Sequence, residues 1–257
     1  MDTLNWVLAL VAITFFWGFL SANRIIMQRV NIKIKDWPEE STSILLLSDL
    51  HTSGHGFRIR RTISMAQNTS CDIVCITGDI ISRRIEKEKR VANVIGKIAN
   101  GRPTFLVWGN NDYNPEIDRQ YLYELLEEKG VKVLFNERVK HGNLTIGGLG
   151  DPFWNKADIE KTLAEDVDLL LSHTPDPIKD VNQRAKLMLA GHTHAGQICW
   201  FDGSPLLPEL RSEKAFSYGL QRYNKTIIYT TSGIGTTRIP LRFFCYPELV
   251  LLEVTPE

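Results

Sequence analysis

The chain opens on one long apolar block and then changes rhythm. From Thr3 to Asn23 there is no charged residue, and Trp6–Leu20 is almost unbroken apolar sequence. Beyond Pro38 the apolar positions come in short runs: Ile44–Leu47, Ile73–Ile76, Thr104–Trp108, Leu144–Ile146, Leu169–Leu171, Leu187–Leu189, Ile227–Thr230 and Leu249–Val254. Short runs rich in β-branched residues and bounded by turn residues predict buried strands. Between several of them the spacing predicts helices over Arg58–Asn68, Ile85–Ala99, Pro115–Lys129 and Lys156–Ala164. Strands that alternate with helices imply an α/β layered fold. Trp200–Ser204 reads as a hairpin turn, and Ser204–Asn224 as a long connection that covers the site, dips toward lipid, or packs on its own domain.

The first block has the length of a membrane span, since twenty-one helical residues at 1.5 Å each reach roughly 30 Å, the hydrocarbon thickness of a bilayer. A secretory signal peptide would carry basic residues before the apolar run and a small-x-small cleavage site after it. Here the only preceding charge is Asp2, and Ser21-Ala22-Asn23 makes a poor cleavage site. A buried core helix is the alternative, but it would be unusually apolar on all faces, and the segment that follows is basic rather than amphipathic.

Charge sharpens that picture. The 257 residues hold 30 basic and 30 acidic side chains, a formal net charge of zero. Residues 1–23 carry −1, residues 24–35 carry +4 through Arg24, Arg29, Lys33 and Lys35, and the remaining 26 basic and 29 acidic side chains leave −3. Basic residues just after the span place the C-terminal domain on the cytoplasmic side, with Trp6 and Trp17 toward the interfaces and the collar near anionic headgroups. The expected organisation is an anchor at 1–23, a basic juxtamembrane linker at 24–42 and a catalytic domain at 43–257. A mildly acidic domain gives no reason to expect nucleic acid as a partner. The length suffices for a core without disulfides or a structural metal, so the four cysteines are expected as reduced thiols. Cys71-x-x-x-Cys75 lies in an apolar strand with no second pair at zinc spacing.

Five polar clusters follow five of the strands: Asp49-Leu50-His51, Gly78-Asp79, Gly109-Asn110-Asn111-Asp112, Ser172-His173, and Gly191-His192-Thr193-His194. Each alone is weak; Asp-x-His is expected by chance roughly 0.3 times in such a chain. Together they use four of the six histidines. Residues two apart on an extended chain point to one side, so Asp49 and His51 can converge on one ion, and His192 and His194 can face a shared cavity. Mixed imidazole and carboxylate ligation favours manganese, iron or zinc over magnesium. Two such ions would activate a water between them and clamp the oxygens of an in-line phosphoryl displacement.

At these residues the sequence resembles the calcineurin-like metallophosphoesterase superfamily, over roughly Ser43 to the C-terminus. The resemblance implies a fold of two packed mixed sheets flanked by helices. It also implies that Asp49, His51 and His194 hold one metal, that Asp79 bridges, and that Asn110, His173 and His192 hold the other. The N-terminal anchor, Ser172-His173-Thr174-Pro175-Asp176, Gly191–Gln197 and the tail around Gly233–Thr237, Pro240–Arg242 and Pro247-Glu248 resemble a membrane-associated bacterial phosphodiesterase branch. That branch includes enzymes like the UDP-2,3-diacylglucosamine pyrophosphatases of lipid A synthesis. The implied partners are a phosphorylated small molecule or lipid-linked nucleotide, and membrane lipid.

One position departs from the pattern. The family has Gly-Asn-His-Asp at the third motif, where His protonates the leaving oxygen and Asp orients it; here the position holds Asn111, followed by Asp112. A carboxamide is no general acid at neutral pH. Either the leaving group needs no proton, as when a pyrophosphate bond releases a phosphate monoester, or another group supplies it, with His55 in the Thr52–Gly56 loop as the best substitute. Arg58, Arg60 and Arg61 are candidates to reach substrate phosphates or to form a solvated helix face. A broad phosphodiesterase without lipid preference, and a metal-binding scaffold without turnover, are the rival functions.

Overall fold

The computed structural model describes residues 3–82, 87–181, 183–206 and 216–257. Helix α1 (Thr3–Asn23) leads into strand β1 (Ile26–Ile34) and β2 (Thr42–Leu47). There follow α2 (Phe57–Gln67), β3 (Ile73–Ile76), α3 (Glu88–Ala99), β4 (Thr104–Leu106), α4 (Arg119–Glu127) and β5 (Val131–Val133). The second half holds β6 (Glu137–His141), β7 (Leu144–Gly148), α5 (Ile159–Thr162), β8 (Val167–Leu171), α6 (Ile178–Val181), β9 (Ala185–Ala190), β10 (Gly219–Tyr223), β11 (Thr226–Thr230) and β12 (Glu248–Pro256).

Two six-stranded mixed sheets result, ordered β1-β12-β2-β3-β4-β5 and β10-β11-β9-β8-β7-β6. Strands β2 to β5 run parallel, as do β7, β8, β9 and β11, which is why their runs are apolar on both faces. The period of two sorts each strand. Ile44 and Leu46 of β2 face the other sheet and meet Leu169, Leu171, Leu187 and Leu189. Leu45 and Leu47 face the helices and meet Ile59, Val91, Ile95 and Leu122. Leu163, Ile178 and Val181 cover the outer face of the second sheet against Leu170 and Met188. The order of layers is helix, sheet, sheet, helix, as the resemblance implies.

The eight predicted strands and four predicted helices are present, with shifted ends. The helix predicted from Ile85 is described from Glu88, and Ile85 itself lies outside the described residues, as do residues 207–215 of the long connection. The stretch read as a basic linker holds β1, which pairs in parallel with β12 through Ile26–Ile34. Its polar residues alternate: Arg29, Asn31 and Lys33 point out, while Ile32 and Ile34 are buried. That period marks a sheet-edge strand, and the charge count obscured it.

Helix α1 stands away from this body. Only Gly18, Ser21 and Ala22 of it are buried. Its last turns dock on the loop before β12: Trp17 packs edge-on against Phe243 and Phe244 at 5.3 and 5.0 Å, and the Gly18 carbonyl accepts from the Arg242 N–H at 3.0 Å. The Phe243 ring lies where a Cβ on residue 18 would stand, so any side chain there would have to push the ring aside.

Candidate metal centre and cleft

The five polar clusters converge at the C-terminal ends of β2, β3, β4, β8 and β9, where an open α/β sheet presents its loops. Leaving a strand and turning at once needs unusual backbone. Asp49, His51, Asp79, His192 and His194 all have φ between 41° and 71°, the left-handed region that non-glycine residues rarely enter. Each such residue costs on the order of 1 kcal/mol, and such strain gathers at functional sites.

The side chains form two overlapping groups, Asp49 with His51 and His194, and Asp49 with Asp79 and His173. His51 Nε2 lies 3.1 Å from His194 Nε2 and 3.8 Å from Asp49 Oδ1. His173 Nε2 lies 2.9 Å from Asn110 Oδ1 and 3.1 Å from His192 Nδ1. Asp79 stands between them, with Oδ2 at 3.5 Å from His51 Nε2 and Oδ1 at 3.5 Å from His173 Nε2. All seven predicted ligand positions are therefore brought together.

Their surroundings aim them. Ser48 Oγ donates to Asp49 Oδ2 at 2.5 Å and the His192 N–H donates to the same oxygen at 2.9 Å, while buried Asp49 Oδ1 has no hydrogen-bond partner among the described residues. His173 donates its Nδ1–H to the Thr77 carbonyl at 2.7 Å, which turns Nε2 inward. Glycines make room. A Cβ at Gly191 would strike Ser48 Oγ and Asp49 Oδ2, one at Gly109 would strike Asp79, and one at Gly78 would meet the Gly109 N and His173 Nδ1.

Charge in the cluster is balanced by protons. Burial works to lower the His173 imidazole, but Asp79 and then Asp49 outweigh it and hold it at about 9. Burial, followed by the His173 charge, lowers His192 to about 4. Burial and then His51 and Arg242 hold His194 well below the usual imidazole range. His192 and His194 thus keep free lone pairs at neutral pH. An orphaned carboxylate oxygen, converging imidazole nitrogens and walls that only glycine permits fit divalent ions of the imidazole and carboxylate type.

Asp112 and Asn111 take roles that the motif did not show. Asp112 is fully buried and accepts from the N–H groups of Asp79, Gly109, Ile80 and Ile81 at 2.8, 2.8, 3.0 and 3.3 Å. Burial, then the Asp79 charge, push its carboxyl up to about 7, and the N–H groups pull the other way. It clamps the turn that carries Asp79 and does not face the cleft. Asn111 donates from Nδ2 to Asp79 Oδ2 at 2.5 Å and from its N–H to Asp79 Oδ1 at 2.7 Å.

The other candidates are not brought to the metal cluster. His55 lies by Ser53 Oγ at 3.1 Å and lines a separate groove between α2 and α3 with Arg60, Arg90 and Lys97. Arg58 turns toward α1, donating to the Ala22 carbonyl at 3.4 Å, and Arg61 lies exposed on α2. Helical phase decides this: α2 presents Ile59, Thr62 and Ala66 inward, so neighbouring positions point elsewhere. Arg60 and Arg61 are exposed on the helix, and Arg58 is half-buried against the end of α1.

A cleft of about 650 Å³ opens over the cluster, walled by Ser82, Asn110, Asn111, Phe153, Thr236, Thr237 and Arg238. Three supports were not visible as such in the sequence. Arg242 is fully buried; its Nη2 lies 3.2 Å from His194 Nδ1 and donates to the carbonyls of Ser232 and Gly235 at 2.7 Å each. Trp154 Nε1 donates to the Asn110 carbonyl at 3.0 Å. The Gln197 carboxamide donates to the Thr237 and Ile239 carbonyls and accepts from the Thr237 N–H. Gln197 and Arg242 stand in the motifs that carry the family resemblance, but nothing in the sequence gives them or Trp154 these partners.

The chain belongs to the calcineurin-like phosphoesterase family, which it matches over residues 42–196. The family is one of metal-dependent phosphoester hydrolases. The chain is 30% identical over 245 residues to an uncharacterized metallophosphoesterase of Helicobacter pylori, covering 88% of this chain and 64% of that one. It therefore spans just under two thirds of that relative's length. It is 30% identical over 230 residues to the phosphodiesterase YaeI of Escherichia coli, covering 82% and 81% of the two chains. The solved structure of TT1561 of Thermus thermophilus shares the fold, with a TM-score of 0.51 at 12% identity over 75% of this chain and 90% of that one.

Proposed function

We propose that the chain is a membrane-anchored dimetal phosphodiesterase or pyrophosphatase, held by α1 with its catalytic domain on the cytoplasmic side. Manganese is the ion we favour, with iron or zinc as alternatives of the same ligand chemistry. The observation that carries the reading is Asp79, whose two oxygens face the two imidazole groups separately at 3.5 Å. His51, His194 and Asp49 would hold one ion, and Asn110, His173 and His192 the other, with Asp79 shared. Bound there, the ions supply Lewis-acid chemistry toward a phosphoryl group and an activated water nucleophile.

The chain's own residues set the leaving group. Among the described residues, the protonatable side chains lining the cleft, other than the Arg238 guanidinium, are His51, Asp79, His192 and His194, all in the metal cluster. With Asn111 at the third motif and His55 in another groove, the described cleft offers no independent general acid. That favours a leaving group of low pKa, such as the phosphate monoester released from a pyrophosphate. Arg238 supplies a cation on the wall that a phosphate would face.

A lipid-linked nucleotide of the UDP-2,3-diacylglucosamine type meets both the leaving-group and the membrane requirement. The test is turnover by the full chain in vesicles with manganese, offered UDP-linked lipid, dinucleotide and aryl phosphodiester, with products identified by mass. Release of UMP from the lipid-linked substrate in clear preference is the expected result. Equal turnover of all three would make the chain a broad phosphodiesterase, and no turnover of the activated aryl ester would make it a scaffold.

A further inference from the structure

We infer that the rim around the base of α1, formed by Trp200, Phe201, Leu206, Ile239 and Phe244, is a second membrane contact that enters the same leaflet as the helix. This inference rests on the reading of α1 as a membrane span. The free-standing part of α1, before Trp17 reaches the domain, runs from Thr3 to Phe16. Those fourteen residues reach about 21 Å at 1.5 Å each, against about 30 Å of hydrocarbon. The remaining third of the span is residues 17–23, which are docked on the protein. The bilayer must therefore rise around the docking site, or stay out of it at the cost of mismatch.

The docking site is built to be wetted by lipid. Phe201 is 84% exposed and Trp200 56%, while Phe244, Ile239 and Leu206 are each about half-exposed. Hydrogen bonds tie these residues into one surface beside α1. The Cys199 N–H donates to the Phe243 carbonyl, next to Phe244 and under Trp17. The hairpin is closed by Trp200 N–H to Ser204 carbonyl at 2.8 Å and Leu206 N–H to Ile198 carbonyl at 2.9 Å. Gln197 fastens the Ile239 carbonyl at 3.1 Å. Exposed aromatic residues grouped at the foot of an apolar helix have the composition of an interfacial belt. The bilayer that holds α1 is the occupant that this continuity selects.

The rim also positions the cleft. Thr236, Thr237 and Arg238 wall the cleft, and the next residue is Ile239 of the rim. Arg242 binds α1 through its N–H and lies against His194 through its guanidinium. With the rim in the headgroup region, the cleft opens at the level of lipid phosphates.

The test uses the full chain in nanodiscs, with an environment-sensitive fluorophore on F201C, on I13C in α1, and on Y121C in distal α4, quenched by lipids carrying nitroxides at shallow or deep acyl positions. The unsubstituted chain gives the background from native thiols. We expect I13C to be quenched by the deep nitroxide, and F201C by the shallow one at least twofold more than Y121C. Quenching of F201C no greater than that of Y121C, with I13C still quenched, overturns the rim contact alone. Absence of quenching at I13C overturns the anchor reading and the rim with it. A functional arm uses W200S/F201S: turnover of a vesicle-embedded phosphodiester is expected to fall about tenfold, and that of a soluble aryl phosphodiester to stay unchanged. An equal fall on both substrates would count against the contact.

Discussion

At the residue scale, the chemistry turns on what surrounds each side chain more than on its type. Asn111 shows this most directly. Its carboxamide donates to Asp79, so it can orient the shared carboxylate but cannot protonate a leaving oxygen. Asn111→His would place an imidazole in the cleft. It is expected to raise turnover of alkyl phosphodiesters by about a hundredfold, the scale of one general acid, with little change on nucleotide pyrophosphates. Steady-state rates on the two substrate classes measure this, and no gain on alkyl esters would mean that another acid already operates. His173 makes a second prediction. Its imidazole, held at about 9, carries a proton at neutral pH, and a metal ligand must be neutral. Metal binding should therefore release about one proton from this site, and none from His192 at about 4. A pH-indicator dye in weak buffer during manganese titration of the stripped protein reads the release; none at all would remove His173 from the ligand set.

At the scale of elements, strand ends make the site and glycines keep it open. The turn after β9 passes so close to the end of β2 that residue 191 has no room for a side chain. Gly191→Ala should push Ser48 and Asp49 aside and weaken metal binding by roughly tenfold or more, the usual effect of disturbing a ligand's support. Unchanged far-ultraviolet circular dichroism with metal affinity lost by calorimetry is the expected pair of results; wild-type affinity would show that the clash relaxes harmlessly. Strand β1 gives a prediction of a different kind. Ile32 is buried between β1 and the core, so Ile32→Ala should cost about 3 kcal/mol. That corresponds to a melting temperature lower by roughly 9 °C for a chain of this size. A solvated linker would lose nothing.

At the scale of the whole molecule, a resting charge of zero hides a site that is acidic and buried. Asp49, Asp79, Asp112 and Asp151 are all buried in or near one end of the sandwich. Burial raises the carboxyls of Asp49 and Asp151; it works the same way on Asp79, but the His173 and His51 imidazoles and the Asn111 hydrogen bonds outweigh it and hold that carboxyl low. In the metal-free chain, His173 is stabilising while protonated. Its raised imidazole contributes stability that is fully present below about 6.5 and is lost as pH rises through about 9. Bound cations would remove that dependence, because they take the proton's place and bind the folded state alone. Melting curves across this pH window should slope downward for chelated protein and run flat for manganese-loaded protein. A slope of the same size in both would mean that His173 stays outside the metal centre.

The sequence by itself determined the alternation of strand and helix, the long apolar first helix and the set of residue types able to hold a metal. These are local signals, set by periods of two and 3.6 and by what can end a strand. Asp49, His51, Asp79, Asn110, His173, His192 and His194 were legible because each follows an apolar run. Tertiary structure decided what periodicity leaves open. Strand β1 was hidden because its outward face is basic. His55 and the arginines of α2 look adjacent to the site in the chain, yet the helix turns them toward other surfaces. Arg242 is the converse case, far along the chain from the strand-end clusters yet joining the end of α1 to His194 in the fold. Which groups meet across such sequence distances depends on how two sheets pack, and packing is a property of the assembled core.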